Sequence, residues 1–223
     1  MDTAVYVIAN QVSKTINKQH ILTDINLELK KSSIYGFRGK NGSGKTMLFR
    51  ALCGLILPTE GTVTIGGVVL GKEASFPESV GVLIEYPGFL HGYTGFKNLK
   101  MLASLNNRIN DDQIRDTIRL VGLYPDDKRK YKKYSLGMKQ RLGLAQAIME
   151  KPELIILDEP TNALDSEGIE KLKQLLLNLK AEGKCILIAS HDKEELEYLS
   201  DEIFMMENGK IIDHYITGTQ HNE

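Results

Sequence analysis

The order of hydrophobic and polar residues divides the chain into strand-like and helix-like stretches. Apolar runs rich in β-branched residues predict strands at 5–8, 21–29, 33–37, 62–65, 80–84, 154–157, 186–189 and 203–206. The runs before residue 29 alternate with polar positions, which is typical of antiparallel strands with one face in water. The runs at 154–157 and 186–189 are apolar at every position and therefore predict parallel strands covered on both faces.

Helix signals fill the stretches between these strands. Asn110, with Gln113 three residues later, matches a capping box and predicts a helix that reaches about Val121. An apolar stripe predicts another helix, which Gly183 would end, with Ile169, Leu172, Leu176 and Leu179 at helical spacing. Between residues 94 and 149 we expect helices and no strand.

The order of these elements predicts an α/β fold. A β-rich start is followed by a strand–loop–helix unit, a helical insert, and then alternating strands and helices, as in a core built on a parallel sheet. We expect a single domain over 1–223, with its core from 1–85 and 151–223. An antiparallel β subdomain would form the N-terminal part, and an α-helical subdomain would be inserted at 86–150.

Composition narrows the class of protein. Charged residues make up 26% of the 223 residues, and 28 Lys and Arg stand against 29 Asp and Glu, so we expect no nucleic-acid partner. The longest apolar stretch, 51–57, is far shorter than the roughly 20 residues of a membrane-spanning helix. Cys53 and Cys185 lie in apolar stretches, which predicts buried, reduced thiols in an intracellular protein without a signal peptide.

The stretch 39–46 matches the G-x-x-x-x-G-K-[ST] pattern of a phosphate-binding loop. It follows the strand predicted at 33–37 and precedes a helix-like stretch at 47–55 whose helix we expect to begin at about Lys45. Such a loop cradles phosphates with its backbone N–H groups, while the lysine reaches the β- and γ-phosphates of ATP. The predicted ATP-binding residues are Gly39, Lys40, Asn41, Gly42, Ser43, Gly44, Lys45 and Thr46.

Two acidic residues follow the buried strand predicted at 154–157. Ligands bind at the carboxyl ends of the strands in doubly wound sheets, so Asp158 is expected to hold Mg²⁺ together with the Thr46 hydroxyl. Glu159 is expected to orient and deprotonate the water that attacks the γ-phosphate. Together with the phosphate loop, these residues predict a P-loop nucleotide triphosphatase core with a mixed, largely parallel sheet, using ATP and Mg²⁺.

Further motifs resemble those of the ATP-binding cassette (ABC) ATPases, the nucleotide-binding subunits of ABC transporters. The sequence Tyr-Ser-Leu-Gly-Met-Lys-Gln-Arg at 134–141 is similar to the family's signature motif, and the stretch 163–165 (Ala-Leu-Asp) resembles its D-loop. His191 matches the switch histidine; the resemblance implies that it contacts the γ-phosphate and holds the attacking water with Glu159. The motifs occur in family order and cover nearly the whole chain.

The resemblance implies a head-to-tail homodimer in which the signature residues of one subunit act on the ATP of the other. Those residues are Ser135, Gly137 and Met138, and Asp165 of the D-loop belongs to the same interface. The N-terminus of a helix beginning at the signature would itself present free N–H groups to an anion. The resemblance also implies a separate polytopic membrane permease, with this subunit on the cytoplasmic face of a bacterial membrane.

The sequence departs from the family pattern in three places. Ile16 stands where the family has an aromatic residue that stacks on adenine, which predicts weaker discrimination among nucleotide bases. Glu85 replaces the glutamine that senses Mg²⁺ and contacts the permease, so we expect a carboxylate ligand there. The signature carries Leu136 and Met138. Together with the stretch 84–89 (Ile-Glu-Tyr-Pro-Gly-Phe), these residues resemble the bacitracin and lantibiotic export and immunity subfamily.

Alternative interpretations remain open from the sequence. The basic run 128–133 is interpreted as a solvated loop, with contact to an anionic membrane surface as the first alternative and to nucleic acid as the last. Besides an ATP-hydrolysing transporter subunit, the second candidate is a soluble ABC ATPase, for example one that acts in cofactor assembly. A nucleotide-gated binding module without turnover is the third, but the presence of Lys45, Asp158, Glu159 and His191 argues against it.

Overall fold

Two β-sheets organise residues 4–85 and 88–218, the part of the chain that the computed structural model describes. The strands are β1 (Val5–Ile16), β2 (Gln19–Lys30), β3 (Ser33–Arg38), β4 (Glu60–Ile65), β5 (Val68–Val69), β6 (Val80–Leu83), β7 (Leu154–Asp158), β8 (Cys185–Ser190), β9 (Glu202–Glu207) and β10 (Lys210–Ile216). The helices are α1 (Lys45–Leu52), α2 (Gly95–Asn106), α3 (Asp111–Leu120), α4 (Leu136–Ile148), α5 (Ser166–Ala181) and α6 (Lys193–Leu199), with a short 3₁₀ turn at Tyr131–Lys133.

The larger sheet has the strand order β10-β9-β3-β8-β7-β6, and its strands are parallel except for the antiparallel β9–β10 pair. Successive residues of β7 and β8 point to opposite faces, so each strand contributes to two separate hydrophobic clusters. Ile155 and Ile186 lie in one cluster, whereas Ile156 and Leu187 lie in the other. Both faces are covered, as the continuous apolar runs predict.

The smaller sheet has the order β2-β1-β4-β5 and is antiparallel throughout. Its buried residues, among them Val7 and Leu27, pack into the same cluster as helix α1. Strand β1 continues to Ile16, well past the predicted run at 5–8, because irregularities in its pairing after Ala9 accommodate a polar segment. The N-terminal antiparallel subdomain is therefore present as predicted, with one longer strand.

Helices α2, α3 and α4 lie between β6 and β7 in the chain and form the inserted helical region. The predicted capping box is present: the Asn110 side chain accepts the N–H of Gln113 at 3.0 Å, and Gln113 Oε1 accepts the N–H of Asn110 at 2.9 Å. In α5, Leu172, Leu176 and Leu179 are buried as the stripe predicts. The α/β fold class with its two additional parts is confirmed.

The end of the first helix and the number of strands differ from the prediction. The helix after the phosphate loop ends at Leu52 rather than at residue 55, because Gly54 takes a left-handed backbone conformation (φ 79°) that turns the chain away. Strands β5 and β10 lie outside the predicted set. Strand β10 is exposed along most of its length, so it lacks the apolar run that marks the central strands.

Both cysteines are buried free thiols, and burial raises the pKa of Cys185 to about 12, so the predicted reduced packing is confirmed. Within residues 4–85 and 88–218, every helix is too short or too polar to cross a bilayer.

Candidate nucleotide-binding and catalytic site

The phosphate loop connects β3 to α1, and α1 begins at Lys45 as predicted. Gly44, just before the helix, has a left-handed φ of 106°, a backbone conformation that glycine adopts without steric strain. At Gly39 a Cβ atom would collide with the carbonyl oxygen of Met206, so only glycine fits there. The loop lines a cleft of about 470 Å³ together with Ile21, Asp158 and Glu159. The chain therefore places the start of a helix and both predicted carboxylates around one opening.

Lys45 and Ser43 supply polar atoms that suit a phosphate group. Lys45 is 6% exposed, and its ammonium donates to the carbonyl oxygens of Gly39 at 2.6 Å and Lys40 at 3.4 Å. The Ser43 hydroxyl is buried and has no hydrogen-bond partner among the described residues. Since a buried polar group without a partner is costly, this hydroxyl is suited to a ligand oxygen entering the loop.

Thr46 and Asp158 form the candidate magnesium position. The Thr46 hydroxyl donates to Asp158 Oδ2 at 2.6 Å, which joins the first turn of α1 to the end of β7. A hydroxyl and one carboxylate fit Mg²⁺, which takes its remaining ligands from water and nucleotide phosphates. Burial is the main cause that raises the pKa of Asp158, and the nearby Glu159 and Glu85 charges add to it.

Glu159 and His191 meet at the carboxyl ends of the neighbouring strands β7 and β8. His191 Nδ1 lies 2.9 Å from Glu159 Oε2. Glu159 has a left-handed φ of 48°, and its N–H donates to the carbonyl oxygen of Ala189 at 2.8 Å, so the backbone turns immediately after the strand. Such strained conformations concentrate at functional sites. The prediction that these two residues share one location is supported by this geometry.

Gln140 is a residue of this site that the sequence pattern did not reveal. It lies on α4, is 8% exposed, and its Nε2 donates to the carbonyl oxygens of Glu159 at 3.2 Å and Pro160 at 3.1 Å. A polar residue on the buried face of a helix is the one available sequence signal. Gln140 links the signature helix to the loop that carries the predicted general base.

The signature forms the N-terminus of α4. The Ser135 side chain accepts the N–H of Met138 at 3.2 Å, so the serine caps its own helix. A Cβ atom at Gly137 would lie 2.7 Å from the carbonyl oxygen of Ala163, which brings the signature helix against the D-loop of the same chain. Met138 is half-buried against the hydrophobic core, whereas Ser135 is exposed.

Asp165 and the signature helix are joined by an ion pair. The Asp165 side chain accepts the N–H of Gly168 at 2.9 Å and thereby caps α5. The same carboxylate accepts from Arg141 of α4 at 2.8 Å. Within one chain, Asp165 therefore joins the N-terminus of α5 to α4, and its side chain is exposed.

Glu85 and Ile16, which depart from the family pattern, lie at the margin of the site. Glu85 lines a second cleft of about 460 Å³ that also contains Asp158 and Glu159, but its carboxylate accepts from Arg50 at 2.8 Å. Ile16 is 39% exposed at the end of β1, whereas Ile21 lines the cleft of the phosphate loop. Residues 86 and 87 of the motif at 84–89 lie outside the described residues.

The basic run 128–133 precedes the signature. Tyr131 is buried inside it, while Lys128, Lys130, Lys132 and Lys133 are exposed. Arg129 pairs with Asp127 at 2.7 Å, and this pair lowers the pKa of Asp127. The run is thus anchored by one aromatic side chain and carries its charges at the surface.

A phosphate loop at a strand-to-helix junction, facing a strand that ends in Asp-Glu, defines a P-loop nucleotide triphosphatase. A family model described as ABC transporter matches residues 22–162. The uncharacterized ABC transporter ATP-binding protein YybJ of Bacillus subtilis (strain 168) is 48% identical over 200 residues, covering 90% of this chain and 92% of YybJ. The chain belongs to the ABC transporter family and is an ABC ATP-binding domain with the ATPase fold.

Relatives of known assignment belong to the same family. The bacitracin transport ATP-binding protein BcrA of Enterococcus faecalis is 39% identical over 93% of this chain and 68% of BcrA. The lantibiotic transport ATP-binding protein SrtF of Streptococcus pyogenes is 36% identical over 90% of this chain and 86% of SrtF. The predicted resemblance to these proteins is confirmed.

Solved structures show the same fold. The ATP-binding subunit of an ABC transporter superposes with a TM-score of 0.86 at 24% identity, covering 95% of this chain and 90% of that one. A dimeric ATP-binding cassette in a post-hydrolysis state bound to ADP and Pi also gives 0.86, at 22% identity, with coverage of 96% and 99%.

Proposed function

We propose that this chain is the ATP-hydrolysing subunit of a transporter that moves an antimicrobial peptide through a separate membrane permease. The observation that carries the proposal is the position of two side-chain pairs, Thr46–Asp158 and Glu159–His191, at the phosphate loop. Thr46, Asp158 and Glu159 line one cleft with the loop, and His191, which contacts Glu159, lines another cleft with it. The first pair suits Mg²⁺ and the second suits a water molecule. The Thr46–Asp158 pair would serve the binding of ATP with Mg²⁺, and the Glu159–His191 pair would serve its hydrolysis.

The roles follow from the chemistry of each group. Lys45 and the N–H groups of the loop bind the phosphates, and Thr46 and Asp158 would hold Mg²⁺, which neutralises developing charge on the phosphate oxygens when bound. Glu159 orients and deprotonates the attacking water, and its contact with His191 fixes the direction of the carboxylate. His191 is 65% exposed and can reach the γ-phosphate.

ATP binding would be completed by a second copy of the chain. Ser135 is exposed at the tip of α4, and the residues lining the phosphate-loop cleft do not include it. A helix N-terminus attracts anions, so the signature tips of two head-to-tail subunits would each cover the nucleotide of the other. Dimer formation and release would then drive the permease from the cytoplasmic face of the membrane.

The substrate class rests on BcrA and SrtF, which are named for bacitracin and lantibiotic transport. Their similarity extends over nine-tenths of this chain. Cargo specificity would lie in the permease.

The variant Glu159→Gln tests the mechanism. Removing the base is expected to lower kcat by about 10³-fold, within the range that a general base contributes, while ATP binding persists. A dimer trapped with ATP and Mg²⁺ would double the mass on gel filtration. Glu167→Gln, an exposed substitution in α5, is the control. Full turnover by Glu159→Gln would contradict the proposal.

A separate experiment tests the assignment to transport. The tagged chain, expressed in its host and extracted with detergent, is expected to co-purify with a polytopic membrane protein. Co-purification with a water-soluble partner alone would favour an ABC ATPase of cofactor assembly. Cells lacking the chain are expected to become more sensitive to bacitracin or a lantibiotic, and unchanged sensitivity would contradict the peptide class.

A further inference from the structure

Glu195 is a buried carboxyl group that the chemistry described above does not use. It lies in the first turn of α6 and is 8% exposed. Its Oε1 atom is buried and has no hydrogen-bond partner within the described residues. Burial is the main cause that raises its pKa. Since burying a carboxyl group costs free energy, its position requires compensating contacts.

The local sequence offers Glu195 a simpler contact than the one it makes. Asp192 caps α6 by accepting the N–H of Glu195 at 3.1 Å, and the order Asp-x-x-Glu is suited to a capping box. In that motif the glutamate accepts the N–H of the cap residue. Here the N–H of Asp192 donates instead to Ser190 Oγ at 3.1 Å. Capping of α6 therefore does not explain the buried carboxyl group.

The side chain of Glu195 connects two loops of the candidate site. Its Oε2 atom accepts the hydroxyl of Ser190 at 3.0 Å and the hydroxyl of Thr161 at 3.1 Å. Ser190 ends β8 immediately before His191, and Thr161 follows Glu159 by two residues. One oxygen thus holds both the loop that carries the histidine and the loop that carries the general base.

The backbone pairing between β7 and β8 ends before the loops that follow these two strands. The last paired positions of β7 and β8 are Asp158 and Ala189, followed by the bond from the Glu159 N–H to the Ala189 carbonyl. Beyond them, the Thr161–Glu195–Ser190 connection extends the contact between the chain segments. The two hydroxyl residues of this connection lie near His191 and Glu159 in the chain, and the His191 and Glu159 side chains are 2.9 Å apart.

We propose that Glu195 is a positioning residue for ATP hydrolysis, which holds the 159–161 and 190–192 loops together so that His191 and Glu159 meet in the catalytic arrangement. The proposal rests on the proposed roles of these two residues. It predicts an effect on the chemical step rather than on nucleotide binding, because the phosphate loop makes none of these contacts. A displacement of about 1 Å at a reacting group can cost about 100-fold in rate.

The test compares Glu195→Met with Glu195→Gln in the full-length chain, measuring steady-state ATPase activity with Mg²⁺. Methionine fills the space without accepting the two hydroxyls, so kcat is expected to fall at least about 10-fold while KM for ATP changes less than about twofold. Glutamine keeps an oxygen that can accept both hydroxyls, so it is expected to retain kcat within about threefold. Thermal unfolding of each variant separates positioning from stability.

Two controls sharpen the result. Glu194→Met, on the same turn of α6 but exposed, is expected to leave kcat unchanged. Thr161→Val added to Glu195→Met is expected to slow the reaction little further, because both substitutions break one connection.

Wild-type kcat in Glu195→Met, or an equal loss in Glu195→Met and Glu195→Gln, would overturn the proposal, as would a loss confined to KM. These outcomes are independent of Glu159→Gln. An inactive Glu159→Gln beside a fully active Glu195→Met would reject the positioning role alone. Full activity in Glu159→Gln would reject the hydrolytic mechanism itself.

Discussion

The phosphate loop and the signature helix tip are the two regions to which the proposed function assigns contacts with ATP, and they differ in completeness. Around the phosphate loop, Lys45, Thr46 and Asp158 already contact one another or the loop backbone. At the signature tip, the hydroxyl of Ser135 caps its own helix and the residue is exposed. The first region is assembled within one chain, whereas the second is an exposed helix end whose serine makes its contact within its own helix.

This difference indicates how a single subunit could bind ATP and yet need a partner for full turnover. The two regions also communicate, since Gln140 of the signature helix donates to the Glu159 and Pro160 carbonyl oxygens. Helix α4 therefore connects the signature tip to the backbone of Glu159, the proposed general base. Four substitutions test the division between the regions, beginning with the largest expected effect.

Lys45→Ala is expected to disable the phosphate-loop region alone. ATP affinity is expected to fall about 100-fold, or about 2.7 kcal/mol, because a charge-assisted contact to phosphate is lost. Isothermal titration calorimetry of the isolated chain measures this change. Lys72→Ala, an exposed lysine outside the phosphate loop, is the control. Unchanged ATP affinity in Lys45→Ala would contradict the role of the phosphate loop in binding ATP.

Ser135→Ala is expected to act on the signature region alone. Binding of ATP to the monomer is expected to persist, while ATPase activity falls about 10-fold because the contact across the dimer is weakened. Loss of the helix cap also costs about 1 kcal/mol of stability. Thr94→Ala controls for that cost, because Thr94 caps α2 by accepting the N–H of Lys97 at 3.3 Å. Equal loss of activity in both variants would assign the effect to capping.

Glu85→Gln is expected to change the Mg²⁺ dependence of turnover with little change in ATP binding. The concentration of Mg²⁺ at half-maximal activity is expected to shift up to about fivefold, as for one exposed charge. Because the Glu85 charge contributes to the raised pKa of Asp158, activity is also expected to persist to lower pH. Titrations of Glu60→Gln, another exposed glutamate, supply the control. Identical Mg²⁺ titrations for Glu85→Gln and the unmodified chain would rule this role out.

Ile16→Tyr gives the smallest expected effect. An aromatic ring at the end of β1 is expected to raise the preference for ATP over GTP about threefold, through stacking on the base. Competition binding measures the ratio, and Ile16→Leu keeps an aliphatic side chain as the matched control. An unchanged ratio would show that Ile16 does not face the base, consistent with Ile21 being the residue that lines the cleft.

Prediction from the sequence succeeded where the signal was local. Strands β7 and β8 are marked by runs that are apolar at every position, and the helix after the phosphate loop begins at the predicted Lys45. It failed where the signal was weak: β10 is mostly exposed, and the end of α1 depends on the backbone conformation at Gly54. The Glu85 carboxylate pairs with Arg50, a contact that the residues around either one do not indicate.

The sequence by itself determined the family, the phosphate loop and the identity of the acidic pair, because each is a contiguous motif whose chemistry is set by neighbouring residues. Only the tertiary structure decided that Gln140 donates to the Glu159 carbonyl oxygen and that Glu195 joins the loops of Glu159 and His191. Gln140 and Glu159 lie 19 residues apart, and Thr161 and Glu195 lie 34 residues apart, so neighbouring residues do not reveal these contacts. The Thr161–Glu195 contact forms because parallel pairing of β7 with β8 brings the two strand ends side by side.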